Sequence, residues 1–299
     1  MNNEEIRGVW FGLSGYILWG LSPIFWKALK NVAALDILSW RIICTFLFAM
    51  FCNGILRFYK RGKTEGFLLS ENRFSLLAGL LVGFNWGMFV WAVEAEHVVD
   101  ASLGYFMNPL INVFLGVVFL RETLRSAQWA SVALAGIGVF WLTVSLGSFP
   151  WIAITLATSF AFYGLIRKVA PAGPLKGLTI ETSTLLLPAV ILLLLRGNAS
   201  ANLGTETGTT ILIVLSGLMT GVPLLFFAAS ARRVPLSVLG LLQYITPTLQ
   251  FLLGVFVYNE EFDNKRLVGY IIVWSGLCIF AFDSFRSAKD ERVPSGTVD

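Results

Sequence analysis

Apolar residues run through this chain in blocks of about 20, the length a helix needs to cross a hydrocarbon core of about 30 Å. Ten blocks separate: 8–27, 35–56, 74–93, 101–120 and 128–146, then 149–166, 178–195, 210–230, 236–257 and 266–285. They lack the strict apolar–polar alternation of barrel strands, which run to only about 10 residues. The polar segments between them are short and leave no room for an inserted soluble domain. The longest, Arg57 to Arg73, is basic, and the charged tail from Ser287 to Asp299 reads as disordered.

The pattern also repeats. Shifted by 138 residues, the stretch ASLGYFMNPLINVFLGVVFLRETL (101–124) falls on LGLLQYITPTLQFLLGVFVYNEEF (239–262). Leu103, Pro109, Leu115, Gly116, Val117 and Glu122 land on Leu241, Pro247, Leu253, Gly254, Val255 and Glu260. The same ungapped offset carries Gly79, Gly83, Phe89 and Gly138 onto Gly217, Gly221, Phe227 and Gly276. Such self-similarity marks two copies of one unit. The expected organisation is a five-helix repeat over 1–146, a second over 147–286, and the tail 287–299.

Composition agrees with membrane burial. Apolar residues make up 56% of the chain and charged residues 13%, where a soluble domain carries about 25% charged. Mean hydropathy is +0.75. The fold class expected is all-α membrane, with ten transmembrane helices. The net charge of +4 reads as basic loops held on the cytoplasmic side, and no nucleic-acid partner is expected. With both termini inside, 16 of the 22 Lys and Arg residues fall on the cytoplasmic side. Five spans per copy is an odd number, so the second copy enters the membrane inverted. Inverted repeats suit alternating access around a fixed central site. Cys44, Cys52 and Cys278 lie in apolar runs without metal or disulfide spacing and read as buried hydrophobes. His97 reads as a surface imidazole. The chain opens on Glu4 and Glu5 with no cleavage-site pattern after the first span, so no cleaved leader is expected.

The candidate chemistry clusters in spans 4 and 9. Pro109 and Pro247 sit mid-span, where proline kinks a helix and frees the carbonyl four residues earlier, that of Tyr105 or Gln243. Tyr105, Asn108 and Asn112 share one helix face, and Gln243, Thr246 and Gln250 share the equivalent one. A single such residue more often bonds between helices. Six at symmetric positions beside two kinks favour a central cavity. Asn85 and Trp86 in span 3, with Pro223 at the position equivalent to Asn85 in span 8, either widen that cavity or pack. Arg41 in span 2 holds an anionic substrate group, pairs with an internal carboxylate, or snorkels to the interface. Glu181, with Tyr163, Arg167 and Lys168, reads as a cytoplasmic gate. Glu122 and Glu260 are expected to pair with Arg125 and with Lys265 or Arg266. No carboxylate lies clearly mid-span, and no phosphate loop, HExxH, GxSxG or His/Cys cluster occurs, so no cofactor or metal is expected.

Read in order, WGLSPIFWKAL (19–29), SWRI (39–42), ASLGYFMNPLINVFLG (101–116), Arg121-Glu122, YGLIRK (163–168), GLTIET (177–182) and LGLLQYITPTLQFLLGV (239–255) with Glu260 carry a likeness over nearly the whole chain. The chain resembles the EamA-type members of the drug/metabolite transporter superfamily and, within them, the RarD family. The resemblance implies a bacterial inner-membrane permease for small metabolites or drugs. It also implies that helices 4 and 9, at Tyr105, Asn108, Pro109, Gln243, Tyr244 and Pro247, line the central cavity. The expectation is a secondary transporter with a small-molecule substrate and the lipid bilayer as partners, and a homodimer left open. Tyr105, Tyr244, Trp86 and Tyr163 would close around a partly apolar ligand, oriented by Asn108, Asn112, Gln243, Thr246 and Gln250. The competing readings are a membrane-embedded enzyme using Glu122, Glu181, Arg167 and Lys168, and a non-transporting accessory protein.

Overall fold

The computed structural model describes residues 3–59, 73–197, 206–259 and 264–290. Eleven α-helices are present among them: α1 (Asn3–Lys27), α2 (Ala34–Tyr59), α3 (Arg73–Glu94), α4 (Val98–Leu120), α5 (Ser126–Leu146), α6 (Trp151–Val169), α7 (Pro174–Arg196), α8 (Thr207–Ala231), α9 (Leu236–Gln243), α10 (Ile245–Leu252) and α11 (Asn264–Asp290). A π-helical turn, Leu253–Val257, follows α10. With α9, α10 and this turn taken as one span, ten spans are long and apolar enough to cross a membrane. The protein is an all-α, multi-pass membrane protein. Its last helix continues to Asp290, past the boundary at 286 read from the sequence.

The outward faces are apolar, as lipid requires. Phe140, Leu194 and Phe282 expose 70%, 74% and 70% of their surface. For the same reason the cysteines are not core residues: Cys44 and Cys52 are half-buried and Cys278 is exposed. His97 is exposed, as expected, and its Nδ1 lies 3.0 Å from the Asp100 carboxylate.

Helix packing keeps its pattern when the two five-span halves are exchanged. Span 2 packs on span 7, 4 on 9 and 5 on 10, while 1–8 is matched by 3–6 and 2–8 by 3–7. Glycine sets the close approaches. A Cβ on Gly79 would meet the Glu181 backbone of α7, and one on Gly217 would meet the Cys44 backbone of α2. Such small-residue contacts let membrane helices gain dispersion energy where no hydrophobic force acts between them.

Candidate functional site

Spans 4 and 9 cross at the centre of the bundle. The crossing is tight because α9 presents Gly240, where a Cβ would lie 2.8 Å from the Pro109 carbonyl and 2.9 Å from the Asn112 Cβ. Here Asn108, Asn112 and Gln243, exposed by only 2%, 0% and 5%, come together. Asn108 Nδ2 donates to the Ala157 carbonyl of α6 at 2.6 Å, which turns Asn108 Oδ1 toward Asn112. Asn112 Nδ2 then donates to Asn108 Oδ1 at 3.0 Å and to Gln243 Oε1 at 3.2 Å. With Asn108 Oδ1 fixed, the Asn112 amide cannot be flipped, and its Oδ1 is left buried without a partner. The orphaned oxygen faces α6, 3.5 Å from where a Cβ on Gly164 would sit.

The other residues of the two trios go elsewhere. Thr246 Oγ1 donates to the Tyr16 carbonyl at 3.0 Å and Gln250 Nε2 to the Trp19 carbonyl at 3.4 Å, both on α1. The second bond has a local cause. Pro23, inside α1, cannot donate to the carbonyl four residues earlier, so Trp19 O accepts instead from Ser22 Oγ at 2.8 Å and from Gln250. Tyr244 turns away from the centre, its hydroxyl donating to the Phe106 carbonyl at 3.2 Å within the cluster formed with α5 and α11. Asn85 is a strut from α3 to α6, donating to the Leu156 carbonyl at 2.8 Å and to Ser159 Oγ at 2.9 Å. The two prolines act differently. Helix α4 runs unbroken through Pro109, whereas span 9 is interrupted at Tyr244, three residues before Pro247.

Toward the end of the bundle that carries Leu236, Tyr163, Arg167 and Glu181, three of the four residues expected to form a gate, come together. Arg167 and Glu181, both buried, bring Nη1 and Oε1 to 3.2 Å, an ionic contact without hydrogen-bond alignment. The Tyr163 hydroxyl donates to Glu181 Oε2 at 3.1 Å. Tyr163 stacks on Phe227 at 5.7 Å, and Tyr16, Trp19 and Phe160 complete an aromatic floor around that ring. Lys168 does not join the pair. Its Nζ donates to the carbonyls of Val234 at 2.5 Å and Ala231 at 3.3 Å. Arg232 closes the same end by donating to the carbonyls of Ala170 and Ala172 at 2.7 and 3.0 Å. Burial and the neighbouring Arg167 and Arg233 guanidinia lower its pKa.

Glu122 departs from the pairing expected of it. Arg121 ends α4 in the left-handed conformation, with φ of 55°, and folds Glu122 back onto the start of α9. There its oxygens accept from Leu236 N at 2.6 Å, Ser237 N at 2.9 Å and Ser237 Oγ at 2.8 Å. Arg125 pairs instead with Asp283 at 2.5 Å. Asn259, the repeat equivalent of Arg121, has φ of 51°. Glu260 and the side chains of Lys265 and Arg266 lie outside the described residues.

Toward the opposite end, which carries Val98, Arg41 stands about two turns, roughly 10 Å, inside α2. Its guanidinium lies over the Trp86 ring at 4.1 Å and the Trp26 ring at 5.6 Å, within electrostatic reach of Tyr105. All four residues are half-buried. The ring of Tyr105 packs edge-on against Phe89 at 6.0 Å. Arg41 forms no ion pair among the described residues, and its Nε is buried without a partner. Asp36 on the same helix is taken by Arg196, at 2.6 Å.

Sequence reasoning missed Trp26, the floor residues Tyr16, Trp19 and Phe160, and the Asp36–Arg196 pair. The usable signal was the motif WGLSPIFWKAL, which carries Trp19, Pro23 and Trp26 together. The floor has no counterpart under the repeat: Tyr16, Trp19 and Phe160 fall on Ile154, Ala157 and Ser22.

Comparison with known proteins places this architecture. Protein RarD of Escherichia coli K12 is 40% identical over 294 residues, covering 97% of this chain and 99% of its own. Protein RarD of Streptomyces exfoliatus is 40% identical over 97% of this chain and 93% of its own. An uncharacterized transporter of Pseudomonas aeruginosa is 41% identical over 96% of this chain and 97% of its own. Among solved structures, the crystal structure of a protein 18% identical in sequence superposes with a TM-score of 0.66, covering 91% of this chain and 96% of that one, and shares the fold. The EamA-like transporter family matches residues 6–144 and again residues 149–282. The chain is a membrane transporter that belongs to the EamA-like transporter family.

Proposed function

We propose that the protein is a secondary transporter of the bacterial inner membrane. It moves a small polar or amphipathic solute by alternating access, with the Leu236 end cytoplasmic. The observation that carries this reading is the Asn112 carbonyl oxygen, buried and unpartnered where spans 4 and 9 cross. An unsatisfied buried acceptor costs about 1–3 kcal/mol, a cost that a ligand donor would remove. Around it, the Tyr163–Phe227 floor and the Arg167–Glu181 pair close one end, and half-buried aromatic residues face the other. An odd number of spans per half inverts the two copies, which is the symmetry alternating access exploits. The groups an enzyme would need are engaged: Glu122 caps α9, Lys168 holds backbone carbonyls and Glu181 is paired.

The test is thermal denaturation of the detergent-purified protein against amino acids, nucleosides, sugars and amphenicols. A ligand bound only by the folded state at one hundred times Kd adds about 2.7 kcal/mol to stability. A compound that stabilises wild type but not an Asn112→Leu/Gln243→Leu variant, and is taken up by proteoliposomes containing wild type only, is the expected outcome. Equal stabilisation of both proteins would place the binding site away from the centre.

A further inference from the structure

Arg41 is a half-buried cation about two turns inside α2, with no carboxylate of its own among the described residues. A charged side chain within a span is retained where it faces the bundle interior and meets a counter-charge or a ligand. Arg167, a fully buried arginine at the other end, has Glu181 at 3.2 Å. Among the described residues Arg41 meets ring faces, Trp86 at 4.1 Å and Trp26 at 5.6 Å. Asp36 is bound by Arg196 at 2.6 Å, and it lies five residues away, about 140° around the helix. Ring faces stabilise the charge but accept no N–H bond in the guanidinium plane. Nε, on one edge of the guanidinium, is buried without a hydrogen-bond partner. That edge offers two parallel N–H groups, the fork that fits the two oxygens of a carboxylate.

We infer that the transported solute is a carboxylate with an apolar or aromatic body, and that Arg41, which lies over the Trp86 and Trp26 rings, binds its carboxylate side-on. This rests on the transport reading above and specifies its substrate class. A single guanidinium neutralises a monoanion and leaves one charge of a phosphate dianion uncompensated. Trp86, Tyr105 and Phe89 offer ring surface to the body of such a solute, and Tyr105 leads along α4 to Asn108 and Asn112, at most about 10 Å further on. A neutral solute would leave the arginine as costly when loaded as when empty. A carboxylate neutralises it, so the loaded site is easier to carry through the closed intermediate.

The test compares paired probes by thermal denaturation of the full chain in detergent at millimolar concentration. Aromatic and aliphatic amino acids and 2-oxo acids are each matched with the primary amide, and inorganic phosphate is run alongside. The expected result is at least one carboxylate bound roughly tenfold or more tighter than its amide, the scale of a charged hydrogen bond. Arg41→Gln should abolish that preference. Arg41→Lys, which keeps the charge and loses the fork, should retain part of it and shows whether the site still folds. Equal binding of acids and amides by wild type, an unchanged preference in Arg41→Gln, phosphate bound in preference to every carboxylate, or no carboxylate-specific shift at all would each overturn the proposal. Asn112→Leu separates the two readings. If it leaves carboxylate binding intact while Arg41→Gln removes it, the anion site stands and the central site fails.

Discussion

The Arg167–Glu181 pair shows how a buried ion pair and a hydrogen bond divide their work in a low-dielectric setting. Removing one member leaves an uncompensated buried charge, which costs about 3–5 kcal/mol, whereas replacing both with apolar groups of similar size is often close to neutral. Arg167→Met should therefore lower the thermal midpoint in detergent markedly, and Arg167→Met/Glu181→Leu should recover most of the loss. If the pair latches the Leu236 end, the recovered double variant will still transport at an altered rate. A double variant as unstable as Arg167→Met would show that Tyr163, whose hydroxyl bonds Glu181, depends on the carboxylate for its position. This cluster was legible in the sequence because Tyr163, Arg167 and Glu181 are the wrong chemistry for lipid and lie near one end of adjacent spans. The central trios were legible only in part. Repeat symmetry made Asn112 and Gln250 equivalent, yet Asn112 meets Gln243 and Gln250 meets the Trp19 carbonyl that Pro23 frees. Which of two equivalent amides stays at the crossing and which reaches another helix depends on a proline in another span, and helical spacing carries no record of it.

The positions of the spans followed from hydropathy, although α1 begins in the charged residues Glu4 and Glu5 and α11 runs on to Asp290. What hydropathy does not encode is how an end is finished. Arg121 adopts the left-handed conformation and turns Glu122 onto two amides of α9, so the C-terminus of one span caps the N-terminus of another. The first turn of a helix has free N–H groups and a partial positive charge, and a carboxylate there is worth about 1–2 kcal/mol. Glu122→Ala should destabilise the protein by about that amount and speed amide hydrogen exchange at Leu236 and Ser237, with Glu122→Gln intermediate. Unchanged exchange at those two amides would mean that water caps the helix as well as Glu122 does. The interruption of span 9 was legible only as a proline. Pro109 and Pro247 carry the same local signal, but α4 stays a single helix while span 9 divides into α9, α10 and a π-helical turn. Local chemistry frees one carbonyl in each, and the packing partners decide whether the helix bends or breaks.

At the scale of the whole molecule the packing pattern is symmetric and the side chains are not. Span pairs 1–8 and 3–6 are exchanged by the repeat, but Tyr16, Trp19, Phe160, Tyr163 and Phe227 fill the first end, where the second has Ile154, Ala157, Ser22, Phe25 and Phe89. Under the alternating access proposed above, one sealed end and one half-buried end correspond to one of two states, and the sealed end would have to part between α1 and α8. These helices approach closely enough to be tied. A Cβ at Gly12 would lie 3.6 Å from that of Ser230, within the span of about 3.5–4.5 Å that a disulfide bridges. In a background with Cys44, Cys52 and Cys278 replaced by serine or alanine, Gly12→Cys/Ser230→Cys should cross-link on mild oxidation. Uptake by proteoliposomes should then cease and return with reductant, while a ligand reaching the Arg41 side still raises the thermal midpoint. Binding that persists without transport would mark α1 and α8 as the moving seam. Undiminished transport by the fully cross-linked protein would mean that the aromatic floor never opens there, and that any solute leaves by a route the two-fold symmetry does not describe.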